Sequence, residues 1–196
     1  MIKHILRIYC LFNHPKSSQE MSFSLVIGPM FSGKTTELIR RCTRLMAVGK
    51  KVLIINAKKD NRNGLHSVTT HDGAKLEAKS VNMVTVHWFE QFMKDYHVIA
   101  FDEGQFFDDL DEVISVLLTN NKHVIVSALQ GDAEMKQWDT VSKLIPMADE
   151  IVQVKALCVK CHAPASFTKK LVPGGNRVDV GGKEKYMACC YMCYNI

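Results

Sequence analysis

The chain has 196 residues, 47% of them hydrophobic, enough for one buried core and a small appendage. Its 25 lysines and arginines against 20 acids leave a formal charge of +5. That modest excess reads as solvated lysines around a polyanion pocket rather than a nucleic-acid surface, since no basic window is interleaved with stacking aromatics. No stretch is long or apolar enough to span a membrane.

Residues 1–21 read as a loosely ordered extension. Residues 5–12 (I-L-R-I-Y-C-L-F) are apolar but short, broken by Arg7, and no small-residue cleavage site follows. Phe23–Ile27 is a short apolar run ending at Gly28, which predicts a buried strand. Thr35–Val48 places Leu38, Cys42, Leu45 and Met46 on one face at helical spacing, and Gly49 is a natural stop. Lys51–Asn56 predicts a second buried strand, 60–72 a loop or hairpin, Val84–Val86 a short strand and Trp88–Lys94 a short helix. His97–Asp102 and His123–Leu129 are strong strands, with a helix at Leu110–Leu118 between them. Residues 133–147 are expected to be helical in part, and Ile151–Val154 is the last strand. Apolar strands alternating with helices imply an α/β fold whose parallel sheet is covered on both faces.

Gly28–Thr35 reads G-P-M-F-S-G-K-T, the full phosphate-loop pattern, placed between a predicted strand and a predicted helix. Gly28 and Gly33 let backbone N–H groups turn toward phosphate oxygens, and the helix N-terminus favours negative charge. Lys34 is assigned to the β- and γ-phosphates and Thr35 to Mg²⁺. Asp102 and Glu103 end the third strong strand, on the edge of the sheet where ligands bind. Asp102 is assigned to support Mg²⁺. Glu103 is placed to act as a general base on an acceptor hydroxyl or water.

From Cys158 onward the composition shifts to glycine pairs and prolines. Cys158-x-x-Cys161 and Cys190-x-x-Cys193, 28 residues apart, have the spacing of a closed, structural four-sulfur zinc site. In a cytoplasmic phosphate-loop protein thiols stay reduced, so metal is preferred over disulfides. Cys189 adjoins Cys190 and offers an alternative ligand, though the spacing favours Cys190.

G-P-M-F-S-G-K-T, D-E-G-Q-F-F, and the cysteine pairs flanking T-K-K and G-G-K-E-K-Y together resemble the type II thymidine kinases of animals, bacteria and large DNA viruses. The resemblance runs from about Phe23 to Cys193. It implies a RecA-like sheet with a phosphate loop over 22–156 and a zinc-bound lasso over 157–196 that covers the nucleoside. It implies transfer of the ATP γ-phosphoryl to the 5′-hydroxyl of thymidine or deoxyuridine, in deoxynucleotide salvage for DNA synthesis. Carried over by position, Gly28, Pro29, Met30, Phe31, Ser32, Gly33, Lys34 and Thr35 would hold ATP, with Asp60, Arg62, Asp102 and Gln105 near Mg²⁺ and phosphate. Glu103 would take the hydroxyl proton. Met30 and Leu129 would line the 5-methyl pocket, the lasso backbone at Arg177, Val178, Asp179, Val180 and Gly181 would grip the base, and Tyr186 would pack against the nucleoside. A homotetramer, feedback inhibition by thymidine triphosphate, and no nucleic-acid or membrane partner are also implied.

One segment departs from that pattern. Relatives read close to A-L-D-G-T-F, then a basic stretch, proline and phenylalanine; here the residues from Ala128 are A-L-Q-G-D-A-E-M-K-Q-W. Ala133 stands where an aromatic would stack on the base, and Trp138 where phenylalanine would stand. Two other readings share parts of the evidence: a RecA-like ATPase motor, which needs a second domain, and a zinc-ribbon nucleic-acid-binding module, which needs more aromatics between the cysteine pairs.

Overall fold

The computed structural model describes residues 21–57, 67–69, 75–90, 94–172 and 174–196. Asp60 and Arg62 lie outside the described residues, as does most of the predicted loop around them. Strand β1 (Ser22–Gly28) leads into helix α1 (Lys34–Ala47), then β2 (Val52–Ala57), the small antiparallel pair β3 (Ser67–Thr69) and β4 (Lys75–Glu77), and β5 (Lys79–Val81). There follow α2 (Val86–Glu90), β6 (Val98–Asp102), α3 (Leu110–Thr119), β7 (His123–Leu129), α4 (Asp139–Leu144) and β8 (Glu150–Gln153). The order across the main sheet is β5-β2-β6-β7-β1-β8, and every pairing in it is parallel.

Side chains alternate along each strand, so a strand buried on both faces reads as a nearly continuous apolar run. Leu53 and Ile55, Ile99 and Phe101, and Val124 and Val126 enter the larger core with Leu110, Ile114 and Leu117 of α3 and Val141 and Leu144 of α4. Their neighbours Ile54, Val98, Ala100 and Ile125 point the other way and meet Leu38, Ile39 and Cys42 of α1. Continuous apolar runs are thus the sequence image of two covered faces. The expected α/β architecture is what the chain adopts.

Two local expectations are corrected. Residues 84–86 form no strand: Val84 is a buried core residue and Val86 opens α2. The strand is β5, just before, with Lys79 exposed at the sheet edge. An edge strand buries little, so it lacks the apolar run that marks the interior ones. On α1, Ile39 is buried and Met46 is 37% exposed, so the apolar stripe follows Leu38, Ile39 and Cys42 rather than reaching Met46.

After β8 the chain forms two small antiparallel pairs. Strand β9 (Ala156–Leu157) pairs with β10 (Pro164–Ala165), and β11 (Phe167–Lys170) with β12 (Tyr186–Cys189). A last turn of helix, α5 (Tyr191–Tyr194), carries Cys193. Because the six main strands run the same way, the ends of β1, β6 and β7 open at one edge. Gly28, Asp102 and Leu129 therefore converge there, facing the small strand pairs.

Candidate active site and cysteine cluster

The phosphate loop is shaped by close approach. A Cβ on Gly28 would sit 2.4 Å from the Val154 carbonyl oxygen and 2.7 Å from Ser32 Oγ, so only glycine fits. Gly33 caps α1 in the left-handed conformation, φ 82°. Within the loop the Pro29 carbonyl accepts from Ser32 Oγ at 2.8 Å and from Lys34 Nζ at 2.7 Å. The Lys34 ammonium is thus folded over the loop and largely buried. Met30 N–H donates to Thr168 Oγ1 at 2.9 Å, tying the phosphate loop to β11.

At the end of β6, Asp102 is buried and accepts hydrogen bonds from Thr35 Oγ1 at 3.0 Å and from Ser127 Oγ. Burial, and then the adjacent Glu103 charge, push its carboxyl up to about 6. The donor set, a threonine hydroxyl beside a carboxylate, is hard oxygen chemistry that suits Mg²⁺. Glu103 itself stands in the left-handed region, φ 55°, which turns its side chain out of the strand line into the cavity. Gln105 Nε2 donates to Glu103 Oε2 at 2.6 Å, and Gln105 Oε1 accepts from Leu129 N–H at 3.0 Å. Gln105 is buried. The structure places it as a strut between β7 and the Glu103 carboxylate.

A cavity of about 310 Å³ lies between this edge and the chain after β11. Met30, Phe31, Gly33, Lys34 and Thr35 form its phosphate-loop wall, with Glu103 beside them. Leu129 lines it from the same sheet edge, and the stretch Arg177–Gly181 and Tyr186 close it from the other side. Its size is at the small end for ligand sites. The stretch over the cavity is held by its own hydrogen bonds: Tyr186 Oη donates to the Asp179 carbonyl at 2.6 Å, and Lys170 Nζ to the Gly174 and Asn176 carbonyls at 3.0 and 2.9 Å. Gly174 and Gly175 both have positive φ, 92° and 82°, making the bend where the stretch leaves β11.

The sulfurs of Cys158, Cys161, Cys190 and Cys193 all lie within 4.8 Å of one another, with Cys161 and Cys190 at 3.6 Å. A tetrahedral Zn–S₄ centre with bonds of about 2.3 Å has sulfurs about 3.8 Å apart, so the four fit the ion. Cys189 is buried on β12 and does not belong to the cluster; Cys190 is the ligand position. The Cys158 thiol is lowered to about 6, chiefly by a backbone hydrogen bond at Cys190, whereas Cys193 is pushed up to about 12, chiefly by its bond with Cys161. Four thiolates this close repel one another, and a cation relieves that.

A family model described as "Thymidine kinase" matches residues 21–194. The chain belongs to the thymidine kinase family. It is 38% identical over 176 residues to the thymidine kinase of fowlpox virus (strain NVSL), covering 88% of this chain and 96% of the viral one. It is 39% identical over 174 residues to that of raccoon poxvirus, covering 87% and 94%. To the cytosolic thymidine kinase of Gallus gallus it is 36% identical over 170 residues, covering 87% and 75%. The chain is therefore a kinase, and no helix among the described residues is long and apolar enough to cross a membrane.

Within this thymidine kinase family chain, the altered segment sits on the cavity. Ala133 and Trp138 both line it, and so does Asp132. Tyr194 Oη donates to the Ala133 carbonyl at 2.6 Å, linking the last cysteine pair to this loop. Sequence reasoning missed Thr168, which holds the phosphate loop from β11, and Phe106, which meets Trp138 edge-on at 6.0 Å. Thr168 was within reach as the threonine of the T-K-K run; Phe106 gave no signal beyond its place after Glu103.

Proposed function

We propose that the chain transfers the γ-phosphoryl of ATP to the 5′-hydroxyl of thymidine, with deoxyuridine as the second acceptor, in deoxynucleotide salvage. The observation that carries this reading is a single cavity bounded by the phosphate loop on one side and by Arg177–Gly181 on the other, with the Glu103 carboxylate on its wall. A phosphate donor and a small acceptor can meet there within reach of a base.

Lys34 is assigned to leave the Pro29 carbonyl and bind the β- and γ-phosphates. Thr35 and Asp102 would hold Mg²⁺, which supplies positive charge to the phosphate oxygens. The acceptor 5′-oxygen forms the new bond to the γ-phosphorus as the bond to the bridging β,γ-oxygen breaks. ADP leaves with that oxygen, and the hydroxyl proton passes to Glu103, which Gln105 holds in place. The backbone of Val178–Gly181 is assigned to the base edge, Met30 and Leu129 to the 5-methyl group, and Tyr186 to the nucleoside face. Gly28, Pro29, Phe31, Ser32 and Gly33 complete the ATP cradle. Asp60 and Arg62 remain assigned to Mg²⁺ and phosphate by resemblance alone. So do a homotetramer, feedback inhibition by thymidine triphosphate, cytoplasmic location and the lack of a nucleic-acid partner.

A panel of nucleosides assayed with ATP and Mg²⁺ tests the acceptor. The expected order is thymidine, deoxyuridine, then deoxycytidine, with purine nucleosides inert. Losing the 5-methyl costs about 0.8 kcal/mol, and an amino group facing a donor meant for a carbonyl costs about 1–3 kcal/mol. Phosphorylation of deoxycytidine or deoxyguanosine as efficient as that of thymidine sinks the assignment, and ATP consumption stimulated by single-stranded DNA instead points to a motor.

The cysteine cluster is assigned to structural Zn²⁺, about one ion per chain by metal analysis of the purified protein. Chelation is expected to speed amide exchange over 157–196 while the main sheet stays protected, because none of the six strands of that sheet carries a cluster cysteine. Near-zero zinc with all four native thiols freely titratable overturns this.

A further inference from the structure

The altered segment and the stretch over the cavity are joined by an unusual set of contacts. Asp132 is 5% exposed at its side chain. Its Oδ1 accepts from the backbone N–H groups of Glu134 and Lys136 at 2.9 and 2.8 Å, which fixes the turn it begins. Its Oδ2 accepts from Arg177 Nε at 2.8 Å, 45 residues away in sequence. Arg177 Nη2 donates to the Gln137 carbonyl of the same turn. The guanidinium carbon then lies 4.5 Å from the centroid of the Trp138 ring. Trp138 in turn meets Phe106, three residues after Glu103.

Each contact uses a different part of the arginine: Nε for the carboxylate, Nη2 for the carbonyl, the planar face for the indole. A planar fork and face of this kind is specific to arginine. Asp132 and Trp138 are also two of the positions where the segment departs from the pattern of its resemblance. The departures therefore touch one another through Arg177, and they do so on the wall of the cavity.

We propose that Asp132, Arg177 and Trp138 form a latch that holds the stretch 177–181 closed over the base, so that nucleoside affinity in this chain depends on an ion pair between two segments. In this role Asp132 is a positioning residue. It acts through Arg177 on the backbone groups assigned to the base, not on the phosphoryl group. The inference rests on reading this cavity as the nucleoside site.

The test compares Arg177→Gln, Asp132→Asn and the double variant. The asparagine keeps an oxygen for the Glu134 and Lys136 N–H groups and turns an amide N–H₂ toward Arg177, removing both the charge and the acceptor that Arg177 Nε meets. Each single variant is expected to raise KM for thymidine about 10-fold, equivalent to about 1.4 kcal/mol, with kcat and KM for ATP within about threefold. The double variant is expected to be no worse than either single one, the mark of a shared interaction. Arg177→Lys, which keeps the charge but not the fork, should fall between Arg177→Gln and wild type. Amide exchange of Val178–Gly181 in the protein without nucleoside should accelerate in Arg177→Gln. That readout needs no substrate, so it decides the latch even if thymidine proves not to be the acceptor. Unchanged exchange there, KM within twofold of wild type, additive losses, or a fall in kcat at constant KM each overturn the proposal.

Discussion

Lys34→Ala is expected to abolish measurable turnover, a loss of about 10³-fold or more in kcat, while the protein stays folded. The size follows from what the ammonium faces in the transition state. Charge spreads over the transferring phosphoryl oxygens, and removing one preorganised charged donor from such a site costs about 4 kcal/mol or more. No other lysine or arginine lies in the phosphate loop to replace it. Folding should survive because the Pro29 carbonyl, the partner of Lys34 in the structure, also accepts from Ser32 Oγ. The lost hydrogen bond is worth about 1 kcal/mol. The measurement is steady-state turnover beside a thermal melt. Near-wild-type activity in a folded variant would remove the phosphate loop from the mechanism.

Glu103→Gln should lower kcat by roughly 10²–10⁴-fold, the range for losing a general base, with nucleoside and ATP affinity largely kept. The substitution is unusually clean here. Gln105 Nε2 donates to Glu103 Oε2, and an amide oxygen can accept the same bond. The left-handed backbone at this position is equally strained for either side chain. What disappears is the capacity to take a proton. Single-turnover rates and equilibrium binding of the nucleoside separate the two quantities. Collapse of affinity with an intact rate at saturation would make Glu103 a binding residue.

The parts of this molecule that are legible in its sequence are those whose physics is local or periodic. β6 and β7 announce themselves because Ile99, Phe101, Val124 and Val126 face one core while Val98, Ala100 and Ile125 face the other, an unbroken apolar run in each strand. Gly28 is readable because nothing larger fits beside Val154 and Ser32, Gly33 because its left-handed φ of 82° favours glycine, and the cysteine pairs because a tetrahedral ion demands short spacing. β5 was not legible: at an edge, Lys79 satisfies solvent rather than a core. The turn at Asp132 was visible only as a departure. Its meaning lay in Arg177, and no periodicity connects residues 45 positions apart. Thr168 stands in the quoted T-K-K run, but its role was hidden likewise, since a single hydroxyl serving Met30 across 138 positions leaves no pattern.

That bond from Met30 N–H to Thr168 Oγ1 joins the loop assigned to ATP with the strand that leads into the stretch assigned to the base. A strut shared by two sites cannot transmit in one direction only. Whatever factor bound nucleotide contributes to nucleoside affinity through it, bound nucleoside must return to nucleotide affinity, because the two orders of filling end in the same ternary complex. The two substrates of the proposed transfer are thus thermodynamic neighbours, coupled through one hydrogen bond.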